Sequence, residues 1–178
     1  MKDDYLDIVD ENDNIIGQET RKKVHRDGLL HREIHVYFIT PNKEIIFQHR
    51  AKDKDTYPDL LDATVGGHVD SGDNYHKTAI KEIEEETGLK VNLDSLIFLS
   101  KVRKEATLDK ITGKINNVWR ENYIYNFKGN LSDLKIEEGK AIGFQSWSIE
   151  KLKNISQEDK KMFIPYVINF VLVNLLNL

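Results

Sequence analysis

Between Gly66 and Leu89 the chain has little freedom in what it can form. From Tyr75 to Thr87 there is neither Pro nor Gly, Asn74 stands in front as an N-cap residue, and Gly88 follows in the position of a C′ glycine. Ala79 and Ile83 fall four apart, which puts both on one face of a helix. Upstream, Ala63-Thr64-Val65 reads as a short strand running into Gly66-Gly67, and Asp70-Ser71-Gly72-Asp73 as a polar loop. Strand, glycine pair, loop and capped helix are therefore predicted in that order.

The same helix carries Glu82, Glu85 and Glu86, related by three and four residues, so their carboxylates share one turn and one face. Like charges so placed repel, and a divalent cation turns that repulsion into attraction. Hard oxygen ligands favour Mg²⁺ or Mn²⁺ over zinc. Glu84 points elsewhere on the wheel and is expected to be solvated. An acidic run alone is also what a solvent face carries. Gly66-Gly67 favours a ligand, because glycines let backbone N–H and C=O groups approach phosphate and metal closely.

The rest of the chain fits one unit, residues 1–178, with no repeat and no Pro/Gly/Ser linker. Tyr5 to Val9 and Ile15 to Thr20 read as a hairpin, Ile34 to Thr40 and Glu44 to His49 as a second pair, Ile97 to Lys104 and Val118 to Phe127 as longer strands, and Gly143 to Trp147 as a shorter one. Two closing helices complete a mixed sheet covered by helices, in the α/β or α+β class. With 26 Lys and Arg against 30 Asp and Glu there is no basic field for a nucleic acid polymer. Cysteine is absent, which removes disulfides, thiolate zinc sites and a cysteine nucleophile. The acidic start Met1-Lys2-Asp3-Asp4-Tyr5 lacks the apolar run of a secretion signal, so the cytoplasm is expected. Phe163 to Leu178 is apolar but interrupted by Pro165, Asn169, Asn174 and Asn177 and shorter than the ~20 residues of a membrane span. It reads as a buried helix or as the face of a homodimer.

Gly67, five intervening residues, Asp73, seven more, then Lys81-Glu82-Ile83-Glu84-Glu85-Glu86-Thr87-Gly88-Leu89 resembles the Nudix box of the Nudix hydrolases. Asp73 stands where the pattern has Glu, and Lys81 where it has Arg. Both keep the charge, but Lys lacks the planar fork of Arg and Asp is shorter, so a looser buttress between them is expected. The resemblance implies an α/β/α sandwich in which Glu82, Glu85 and Glu86 hold Mg²⁺ with help from the Gly67 backbone. It also implies hydrolysis of a diphosphate bond in a small molecule, a nucleoside diphosphate linked to another group, by metal-activated water. Glu85, Glu86, Glu121, Glu137 and Glu138 are the carboxylates considered as proton acceptor.

Leu29-Leu30-His31-Arg32, Thr56-Tyr57-Pro58 and Val65-Gly66-Gly67-His68-Val69 are similar to the Nudix branch that contains isopentenyl diphosphate isomerase. That isomerase has a catalytic cysteine where this chain has Gly66, which argues against the cysteine-dependent reaction. His25, His31 and His68 partly resemble its metal-binding histidines, and Glu121 one of its carboxylates; no such role falls to His35, His49 or His76. Arg50, Lys52 and Lys54 form a basic loop that could meet a phosphate, and Trp119, Tyr123 and Tyr125 could stack on a base or fill a core. A non-catalytic module that binds a diphosphate metabolite and an isomerase-like enzyme are the alternatives to hydrolysis.

Overall fold

The computed structural model describes residues 4–110 and 112–177. Met1, Lys2 and Asp3 of the acidic start, and Leu178 of the apolar end, lie outside the described residues. Strands β1 (Tyr5–Val9) and β2 (Ile15–Thr20) form the expected antiparallel hairpin. β2 runs directly into α1 (Arg21–Asp27), which the sequence reading lacks. Only Val24 of its seven residues is buried, so no apolar stripe announces it, yet Thr20 caps it and Gly28, at φ 66°, ends it.

The main sheet is mixed. β3 (His31–Ile39) lies at its centre, parallel to β8 (Ile115–Asn126), which in turn pairs antiparallel with β7 (Leu96–Leu108). On its other edge β3 meets β6 (Val65–His68) along Glu33–Val36 and β4 (Glu44–Arg50) at Phe38–Ile39. β4 also carries β5 (Leu61–Asp62) and β9 (Ala141–Ser148). Alternation along β3 divides the core in two. Ile34, Val36 and Phe38 pack with Ile46, Val65 and the Ala79 and Ile83 face of α2 (Tyr75–Thr87). Tyr37 points to the other face, where Ile45 and Phe47 meet Leu152, Phe163 and Val167.

That second face is covered by α3 (Ile149–Lys153) and α5 (Pro165–Asn174), with a third, four-residue helix between them, α4 (Gln157–Lys160), that buries none of its residues. Pro165 sits at the start of α5, where its missing N–H costs nothing. Val167, Ile168 and Val171 of α5 are buried in the chain's own core. The result is an α+β fold in which helices cover both faces of a mixed sheet. Ile83 is 0% exposed between α2 and β3. Ile83→Ala is therefore expected to cost about 2–5 kcal/mol, read as a lower urea midpoint at unchanged slope.

One boundary differs in a way that matters. Gly66 and Gly67 do not follow a strand that ends at Val65; they lie inside β6, opposite His35 and Ile34 of β3. The pairing with β3 gives their backbone groups partners, and it fixes where α2 must approach.

Candidate active site

α2 crosses β6 with Glu82 and Glu86 on its inner face, and both carboxylates are buried. A Cβ built on Gly67 would lie 2.5 Å from Glu82 Cδ and 2.8 Å from its Oε1, so only glycine admits that carboxylate. Neither glycine of the pair has a left-handed φ, and their role is close approach rather than a turn. Glu86 Oε2 accepts from Gln48 Nε2 at 3.0 Å and from the Gly66 N–H at 3.4 Å. Burial pushes the Glu86 carboxyl up to about 8 and Glu82 up as well; Lys140 opposes both shifts.

Glu85 does not join them at the inner face. It stays exposed on the flank of α2, because the packing of Ala79 and Ile83 fixes which side of the helix turns inward. The third carboxylate at the cluster comes instead from Glu137. Lys140 Nζ lies 2.8 Å from Glu137 Oε2, 3.5 Å from Glu86 Oε1 and 3.8 Å from Glu82 Oε2. An ammonium among three carboxylate oxygens marks a place built for positive charge, and the all-oxygen donor set suits a hard divalent ion. Glu138 is exposed, as is Glu84, whose carboxylate lies 3.5 Å from Lys90.

The expected pairing of Asp73 with Lys81 is not formed. Lys81 donates to Asp70 Oδ2 at 2.8 Å, and Asp73 accepts from Lys77 one turn along the helix. Asp70 precedes α2 and is pinned by a backbone bridge to Leu6 of β1.

From the glutamates a cleft of about 320 Å³ runs past Gly66 and Gly67 to His25, His68 and Tyr166. Arg50 and Lys54 line it, but the Arg50 guanidinium is already engaged. It donates to Asp62 Oδ2 at 3.0 Å and to the carbonyls of Thr56 and Tyr57 at 2.9 and 3.2 Å, which makes it an organiser of the loop. Lys52 is 3.9 Å from Asp59 at the surface.

His25 and His68, which line the cleft, come together with the buried His31. Their ring centroids are 4.9–5.1 Å apart, and one possible ligand atom from each lies within 4.8 Å of the others. His31 Nδ1 is 2.9 Å from the Leu29 carbonyl and His25 Nδ1 is 3.2 Å from that of Ile115. A carbonyl only accepts, so each Nδ1 carries the proton and each Nε2 keeps its lone pair. Nε2 of His31 and of His68 are buried with no hydrogen-bond partner among the described residues. Burial pushes His31 down to about 4 and lowers His25 and His68 too, so all three rings are neutral at neutral pH. Neutral imidazoles with bare lone pairs fit a first-row divalent metal. α1 is what delivers His25.

Glu121 does not line this cleft. β8 alternates, and Arg120 shares the sheet face of Glu33, its ion-pair partner and a residue of the cleft lining, while Glu121 lies opposite Ile34 on the α2 side. There it accepts from the Tyr123 hydroxyl and sits 3.7 Å from Lys101. Trp119, Tyr123 and Tyr125 pack on that same side, with Tyr123 stacked on His76, and so fill the core rather than face the cleft. Gln48, Lys140 and Glu33, the last held by Arg120, are site residues that sequence reasoning missed. No local pattern marks them, because each is defined by a partner distant in the chain.

Comparison with known proteins bears on this site. The sequence model of the NUDIX domain matches residues 29–166. A Nudix hydrolase of Clostridium acetobutylicum is 28% identical over 155 residues, covering 85% of this chain and 73% of that protein. Nudix hydrolase 3 of Arabidopsis thaliana is 26% identical over 174 residues, 95% of this chain but 22% of the plant protein. An isopentenyl-diphosphate delta-isomerase of Gibberella zeae is 27% identical over 186 residues, covering 93% and 72%. Among solved structures, a Deinococcus radiodurans protein superposes with a TM-score of 0.66 at 19% identity, covering 84% of this chain and 86% of that one, a likeness of fold.

Proposed function

Because this chain belongs to the NUDIX domain family, we propose that it is a Mg²⁺-dependent hydrolase that cleaves the diphosphate bond of a nucleoside diphosphate linked to another group. The observation that carries this reading is the buried Glu82 and Glu86 pair, pressed against a glycine that no other residue could replace without displacing Glu82. Glu82 and Glu86, with the Gly67 backbone, would hold the ion, and Glu85 would join them by swinging its side chain in from the exposed flank of α2. When bound, a divalent ion neutralises phosphate charge and makes water easier to deprotonate. The chain's own residues do the rest. Gln48 and the Gly66 N–H orient Glu86, and Glu137, the carboxylate at the cluster that does not belong to α2, accepts the proton as water oxygen attacks phosphorus and the anhydride P–O bond breaks. Among the described residues no helix is long and apolar enough to cross a membrane; the cytoplasm is the proposed compartment.

Incubation with Mg²⁺ and a panel of nucleoside diphosphate derivatives tests the reading. Metal-dependent release of two phosphate-bearing products is expected. No such product from any member, together with Mn²⁺ binding that Glu82→Gln leaves unchanged, would remove the basis for it.

The histidine cluster favours a second metal at His25, His31 and His68. His31→Ala is expected to lower the stoichiometry of bound Mn²⁺ by about one ion per chain while leaving binding that depends on Glu82 in place; unchanged stoichiometry would count against this site. Isomerase-type chemistry is the reading that such a site also permits, against which stands the absence of cysteine. Lack of solvent deuterium incorporation into isopentenyl diphosphate would exclude it.

A further inference from the structure

Lys140 stands at the entrance of β9 on a backbone held from both sides. Its N–H donates to the Glu137 carbonyl at 3.1 Å, and its own carbonyl accepts from the Ala51 N–H at 3.2 Å. Only the side chain is free to change place. Its ammonium faces all three inner carboxylates, Glu82, Glu86 and Glu137, and it also lines the cleft. Lys81, the other cation nearby on α2, is turned to Asp70 instead. Carboxyl groups buried one helical turn apart draw a cation toward them, and Lys140 is the one that stands there. A divalent ion at those oxygens and the ammonium would repel each other strongly even at the effective dielectric of a protein surface.

Building on the metal-dependent reading above, we propose that Lys140 is an internal counter-cation. It occupies the carboxylates while the metal is away, leaves them as the ion enters, and then sets its charge against a phosphate oxygen of the substrate in the cleft. Two opposite effects of removing the charge follow from this exchange. The metal no longer has to displace an ammonium, and the diphosphate loses a cation that holds it.

The test uses the full chain with Lys140→Met and, should that variant fold poorly, Lys140→Gln. Mn²⁺ affinity is read by electron paramagnetic resonance without substrate, and affinity for methylene diphosphonate by calorimetry in saturating Mn²⁺. Loss of the ammonium is expected to tighten Mn²⁺ about tenfold and to weaken the diphosphonate about tenfold. A merely structural lysine would not move the two in opposite directions. Mn²⁺ affinity that is unchanged or weaker overturns the proposal, as does undiminished diphosphonate affinity. If no variant shows Mn²⁺ binding that Glu82→Gln abolishes, the metal-dependent reading falls with it.

Discussion

Glu86→Gln is expected to lower metal-dependent turnover about 10³-fold, the scale of removing a group that stabilises charge in the transition state. Its second effect is on stability. In the metal-free chain burial holds the Glu86 carboxyl up at about 8 against an ordinary 4.5. Between those values the folded chain keeps a proton that the unfolded chain has released, so stability falls as pH rises through the window and levels off above it. Glutamine cannot ionise, and the fall attributable to this position disappears. Urea unfolding of both proteins from pH 4.5 to 9 in chelator checks the sign. Parallel curves would show that Glu86 is not the buried titrating group.

Gly67→Ala is expected to lower turnover about 10²-fold with a smaller effect on folding. The new Cβ would lie 2.5 Å from Glu82 Cδ and 2.7 Å from its Cγ, and α2 cannot retreat, because Ala79 and Ile83 on either side of the contact are fully buried. The carboxylate must swing away, and a displacement on the order of 1 Å at a catalytic group costs that much in rate. Overpacking at one site costs about 1–3 kcal/mol of stability. Gly17→Ala is the control: nothing lies within 4 Å of the added atom there, and the residue is exposed. Equal kinetics for the two alanine variants would mean that Glu82 need not sit against Gly67.

The sequence disclosed α2 with its ends because everything that defines it is local. Asn74 accepts from the Lys77 N–H, Gly88 takes φ 72°, and the apolar spacing is that of the helix itself. The β1–β2 hairpin was legible for the same reason. α1 was not, since a seven-residue helix with one buried side chain has no periodicity to read, and its local caps at Thr20 and Gly28 frame too short a segment to stand alone. Glu121 shows the converse failure. Its spacing in a strand is compatible with either face, and only the pairing of β8 with β3 turns it away from the cleft.

By itself, then, the sequence determined the acidic helix, the glycine pair before it and the class of chemistry that carboxylates clustered beside such a pair invite. Hydrogen bonds and side chains within a few residues of one another suffice for that. Only the tertiary structure decided that Glu137 rather than Glu85 completes the inner cluster, that Lys81 takes Asp70, and that Lys140 stands among the carboxylates. It alone brought His25 to His31 and His68. Each of these partnerships joins separate elements, and their meeting depends on strand register and on which helix face packs inward, which no spacing along the chain encodes.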